Sequence, residues 1–146
     1  MTAPQSISAK KPAGRRPRIV INADDLDHIE ALAEGAMVRN PALADRLLEE
    51  LGRARIVPAA KMPETVIGIG STATYRDETT GQEKTVTLVY PEDADIAQQR
   101  VSVMTPIGVA LLGLAKGAAF YWDTRNDQRR TLTVIGVEQP PVAGAP

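Results

Sequence analysis

With 146 residues the chain has room for one ordinary domain, or for one domain and a small helical appendage. Hydrophobic residues (43%) and charged residues (24%) stand in the proportions of a folded globular chain, aromatics make up only 3%, and the absence of cysteine excludes disulfides, thiolate metal sites and cysteine nucleophiles. The net charge of −1 conceals an asymmetry: residues 1–18 carry +5 from Lys10, Lys11, Arg15, Arg16 and Arg18, which leaves −6 on a body that would repel a phosphate backbone.

In chain order, residues 1–17 read as a disordered basic tail, and the lack of an apolar run behind the cations argues against a signal peptide. No stretch approaches the roughly 18 apolar residues of a membrane helix. Arg18 to Ile21 is a short β-type run. Asn22 then caps a helix whose first turn holds Asp24, Asp25 and Asp27 against the positive end of its dipole. Leu26, Ile29, Leu32, Ala33 and Ala36 form its apolar stripe. Asn40-Pro41 starts a second helix, with a side-chain cap and a proline where its missing N–H costs nothing. Its stripe is Leu43, Leu47, Leu48, Leu51 and Ala54, with Asp45, Arg46, Glu49, Glu50 and Arg53 opposite. Two such helices are unstable alone. They either bury each other's stripes as an antiparallel helical hairpin over 18–57 or lie as a cover on a sheet; the hairpin is the expected arrangement.

Ile56 to Thr65 carries two prolines and reads as a linker. From there the pattern alternates. Val66–Arg76 and Lys84–Tyr90 are expected as a hairpin about a turn at 77–82, Arg100–Met104 as a third strand, and Ala118–Trp122 with Arg130–Val137 as a last hairpin about Thr124–Asp127. Between them Thr105-Pro106 opens a short apolar helix, Ile107 to Leu114, followed by Gly117 in a left-handed stop. The fold class is therefore α+β: a helical hairpin, then an antiparallel sheet of about five strands with one short helix over 58–140, and a frayed tail at 141–146.

The sequence is poor in chemistry. His28, the single histidine, sits among Asp24, Asp25, Asp27 and Glu30 and is expected as an exposed helical residue. Zinc is nearly excluded, and the aspartates are explained as helix-start acids as well as by a magnesium site. Gly68-Ile69-Gly70 lacks a third glycine, Gly108 and Gly113 are followed by Leu114 where a phosphate loop needs lysine, and no serine has a histidine partner in sequence context. The expectation is a protein that is not an enzyme and needs no cofactor or metal. The stretch Arg100 to Gly117 is the exception to this blandness. Most of its apolar residues read as core, but Met104-Thr105-Pro106 forms a strand-to-helix corner where backbone N–H groups point outward.

Ser102, Thr105, Pro106, Ala110, Leu111 and Gly113 resemble the signature of the GreA/GreB C-terminal domain. Together with Thr87 to Pro91, Ser102 to Met104 and Ile107 to Leu114, they make the chain similar to the bacterial Rnk family, the regulators of nucleoside diphosphate kinase, over roughly residues 18–140. The resemblance implies an FKBP-like C-terminal domain that docks on RNA polymerase at the rim of its secondary channel, through Ser102, Met104, Thr105, Pro106 and Ile107. Such a protein is cytoplasmic and monomeric and meets nucleic acid only through the polymerase. Gre factors send a long coiled coil with an acidic tip into that channel. Here the helices reach only about 18–22 Å at 1.5 Å per residue. The tip, Met37, Val38, Arg39 and Asn40, has no carboxylate, and Met104 replaces an acid that Gre factors often carry. The implied role is competition with Gre-type factors without stimulation of transcript cleavage. Two other readings follow: a peptidyl-prolyl isomerase, which five aromatics scarcely equip with a proline pocket, and a direct regulator of the kinase, for which no phosphate site is visible.

Overall fold

The computed structural model describes residues 18–123 and 129–140. The tails at 1–17 and 141–146 and the turn Thr124–Asp127 lie outside the described residues. Strand β1 (Val20–Asn22) runs into helix α1 (Ala23–Gly35), and a turn leads to helix α2 (Pro41–Arg53). Both expected caps form. The Asn22 side chain accepts from the Asp24 amide at 2.8 Å, and Asn40 accepts from Leu43 at 3.4 Å with Pro41 in the first turn. The two helices pack together, but the buried face of α2 is rotated from the expected stripe. Ala44, Leu47, Glu50 and Leu51 are buried, while Leu43 and Leu48 are half-buried. Glu50, expected on the polar face, is only 5% exposed. The Arg53 guanidinium one turn later neutralises it, with Nε and Nη2 donating at 2.8 and 2.7 Å.

The expected linker begins as a strand instead. β2 (Arg55–Val57) pairs in parallel with β1, Ile21 opposite Ile56, and closes the helical part. A parallel partner across two helices leaves no hairpin signal, which is why periodicity and prolines alone suggested a connector. The Arg55 amide donates to Ile19 O at 2.9 Å and Val20 N to Gly113 O at 3.1 Å, tying this small sheet to the C-terminal half.

There a five-stranded sheet is built from β3 (Thr72–Asp77), β4 (Glu83–Val89), β5 (Arg100–Ser102), β6 (Ala119–Asp123) and β7 (Arg129–Glu138), in the order β5-β4-β3-β7-β6. Three departures from the sequence reading have local causes. β5 runs parallel to β4, Leu88 opposite Val101, because the acidic loop crosses over through short 3₁₀ turns and Gln99 reverses it at φ 61°. The strand expected from Val66 starts only at Thr72; Gly70, at φ 93°, turns the chain, and Val66 forms a lone bridge to Ala115. Helix α3 (Pro106–Leu111) stops three residues early because Gly113 takes the left-handed conformation at φ 84°. A Cβ on Gly113 would stand 2.7 Å from Ile19 Cβ, so this contact with β1 demands glycine.

One face of the sheet is polar, with Thr72 bonded to Thr87 and Thr74 to Thr85 across the register at 2.8 Å. The other face holds the core. Leu88, Phe120, Leu132 and Val134 share one hydrophobic cluster with Leu111 and Leu114, with Ile21 of β1, Ile29 and Ala33 of α1, and Leu47 and Leu51 of α2. The cluster is continuous across the 57/58 boundary.

Candidate docking surface

The corner after β5 is tightly built. The Met104 amide donates to Ser102 Oγ at 2.9 Å, the Thr105 hydroxyl donates to Ser102 O at 2.7 Å, and the Gly108 amide donates back to Thr105 Oγ1 at 3.1 Å. Thr105 is thus the N-cap of α3, with Pro106 in its first turn. A Cβ on Gly108 would collide with the Ser102 carbonyl and stand 2.9 Å from Val103 Cα, so the helix lies directly on the strand end. Two hydroxyls and one missing side chain fix the corner's shape.

The five residues singled out from sequence therefore divide. Ser102 is buried and spends its hydroxyl on the backbone. Met104, Thr105 and Ile107 are half-buried, Met104 and Ile107 resting on the core, and Pro106 is exposed. The tip residues stand elsewhere, in the turn between α1 and α2: Met37 is 39% and Val38 90% exposed, and Arg39 and Asn40 are exposed. No carboxylate lies in that turn.

Sequence reasoning missed what flanks the corner. Val103 N donates to Val89 O at 2.8 Å, so β4 and β5 end side by side and Tyr90 leaves the sheet next to Val103. The Tyr90 hydroxyl donates to Asp25 Oδ1 of α1 at 3.2 Å, and the His28 ring stacks on the Tyr90 ring with centroids 3.8 Å apart and planes 25° from parallel. His28 is exposed, as expected, yet not idle. Burial, then the charge of Asp25, pushes the Tyr90 phenol up to about 12. Burial likewise raises the Asp25 carboxyl, against the opposing hydrogen bond from Tyr90. Residues 65 apart carry no mutual signal in a single sequence; a tyrosine ending a strand and a histidine one turn from a helix-start acid were the only traces.

Among the described residues no three histidine, aspartate or glutamate side chains converge as metal ligands, and no helix is long and apolar enough to cross a membrane. A shallow groove of about 530 Å³ at the start of β4, lined by Lys84, Val86, Ile96 and Val101 among others, has no aromatic wall.

The fold as a whole, a helical N-terminal part followed by a mostly antiparallel sheet, is that of a GreA/GreB-type protein. The family model for the C-terminal part of transcription elongation factor GreA/GreB matches residues 62–139. A solved GreA/GreB elongation factor from Nitrosomonas europaea superposes with a TM-score of 0.68 at 34% identity, over 84% of this chain and 99% of that one. GreA of Brucella anthropi is 33% identical over 85 residues, which are 58% of this chain and 54% of that protein. The helical part narrows the assignment. The Rnk N-terminus model matches residues 17–57, and the Escherichia coli regulator of nucleoside diphosphate kinase is 35% identical over 130 residues, 88% of this chain and 96% of that protein. The chain belongs to the Rnk family, which joins that N-terminus to a GreA/GreB C-terminal domain.

Proposed function

We propose that this protein is a non-catalytic regulator of transcription that binds RNA polymerase at the rim of its secondary channel and competes there with Gre-type factors. On this reading residues 58–140 act as an FKBP-like docking domain, and the protein works in the bacterial cytoplasm as a monomer, touching nucleic acid only through the polymerase. The observation that carries the reading is the corner at Met104, Thr105 and Pro106: a hydrogen-bonded strand-to-helix junction with Pro106 exposed, in a domain whose relatives include elongation factors. Its recognising surface is Pro106 with the exposed parts of Met104, Thr105 and Ile107; Ser102 serves as the brace.

Transcript cleavage is not part of this function. Each helix has 13 residues, about 20 Å at 1.5 Å per residue, and the turn joining them is Ala-Met-Val-Arg-Asn, with no carboxylate to hold a magnesium ion. The testing experiment is binding of the full chain to core RNA polymerase, wild type against Thr105→Glu with Pro106→Ala. Loss of binding in a double variant that keeps its fold supports the corner; undiminished binding removes it.

A second reading is favoured by the name of the Escherichia coli relative, a regulator of nucleoside diphosphate kinase. Direct action on the kinase would give a kinase–regulator complex with purified components and no polymerase; the reading proposed above gives none.

A further inference from the structure

We infer that the docking face extends beyond the corner onto α1, with the stacked rings of Tyr90 and His28 as an aromatic platform for a basic segment of RNA polymerase. The inference rests on the polymerase-binding reading and adds to it a second contact and the chemistry of what it receives.

Three observations converge. The platform and the corner start from neighbouring strand ends, because the parallel pairing of β4 and β5, with Val103 N donating to Val89 O, brings Tyr90 and Met104 out of the sheet at the same end. The platform is held in place: the hydroxyl of Tyr90 is anchored on Asp25, and the exposed residue His28 stacks on its ring. The pair presents one exposed ring, His28, on a half-buried one, Tyr90, and a ring so backed gives contact area at low entropic cost. The surroundings are negative. Asp24, next to Asp25, and Glu92, two residues after Tyr90, are exposed, and neither has an ion-pair partner among the described residues. An exposed ring flanked by two unpaired carboxylates suits an arginine, whose planar guanidinium stacks on the ring while the carboxylates attract its charge.

On this view the N-terminal helices are part of the docking face. Position 28 is a specificity-determining contact, while Asp25 positions Tyr90 and touches nothing in the partner.

Binding of full-length variants to core RNA polymerase at several salt concentrations tests it. Pro106→Ala reports on the corner, His28→Ala on the platform, and Asp24→Lys with Glu92→Lys on the charge. His28 is exposed, so its truncation leaves the core intact, and thermal unfolding confirms that for each variant. The expected result is a loss of roughly fivefold or more for His28→Ala, the least that sets a contributing interface residue apart from its near-neutral neighbours. The charge-reversed variant should bind more weakly and with a shallower salt dependence, which a merely structural role would not alter. If Pro106→Ala weakens binding while the other two variants match wild type at every salt concentration, the corner stands and the platform is overturned. If the wild type does not bind polymerase, the underlying reading falls and this inference with it. If neutralising Lys10, Lys11, Arg15 and Arg16 tightens binding tenfold or more, and charge reversal at 24 and 92 abolishes that gain, the chain's own basic segment is the occupant and the inference is wrong.

Discussion

Leu47→Ala distinguishes a helical appendage from a helical part that shares the domain's core. Leu47 is fully buried at the centre of α2, and its cluster includes Ile29 and Ala33 of α1 as well as Leu88, Leu111 and Val134. Removing a buried leucine side chain typically costs about 2–5 kcal/mol, and a site walled by several elements that cannot all collapse belongs in the upper half of that range. A domain of this size holds roughly 5–15 kcal/mol in total. If the core is one cooperative unit, the loss appears everywhere. Amide hydrogen exchange reads this residue by residue. A cost of about 3–5 kcal/mol accelerates exchange governed by global opening by about a hundredfold or more. The informative amides are Leu88, which donates to Ser71 O at 2.9 Å, and Val134, which donates to Ala118 O at 2.9 Å, because both lie in the sheet and far along the chain from the substitution. The structure predicts that they accelerate together with the amides of residues 24–55. Acceleration confined to 24–55, with Leu88 and Val134 unchanged, would refute the shared core and establish two separable units.

Other expectations follow from single residues. Gly113→Ala should destabilise the fold by more than the roughly 1 kcal/mol of a left-handed alanine, because its methyl would also meet Ile19; a smaller shift on denaturant titration would contradict that contact. Thr105→Ala should cost about 1 kcal/mol as a lost cap and weaken polymerase binding, whereas Thr105→Ser, which keeps the hydroxyl, should restore both. Asp25 has its carboxyl raised above the ordinary 3.8 by burial, so the folded state holds that proton longer than the unfolded chain does. Its contribution to stability is therefore greatest below 3.8 and falls as pH rises through the higher folded value, and Asp25→Asn should flatten that part of the stability–pH curve. In a backtracked elongation complex the protein should produce no magnesium-dependent cleavage above background.

Much of this architecture could be read from the residues because its signals are local. Asn22 and Asn40 announce their helices, Thr105-Pro106 announces α3, and alternation marks β4 and β7. What could not be read depends on distant partners. β2 is a strand only because β1 lies beside it, the parallel course of β5 depends on how the acidic loop crosses over, and Glu50 is buried only because Arg53 and the packing of α2 allow it. The same division holds at the candidate site. Ser102, Thr105 and Pro106 stand within a few residues of one another and form the expected corner, with Ser102 as brace rather than contact surface. The Asp25–Tyr90–His28 cluster joins residues 65 apart and became visible only in the fold.

The central claim is that the corner docks this protein on RNA polymerase in competition with Gre-type factors. Displacement of a labelled GreA from core polymerase by the full-length chain tests it most directly. The account predicts displacement that saturates with the chain and is lost in the variant carrying Thr105→Glu with Pro106→Ala, while that variant unfolds at the temperature expected for an intact core. Retention of GreA at saturating concentrations of the wild-type chain would contradict it.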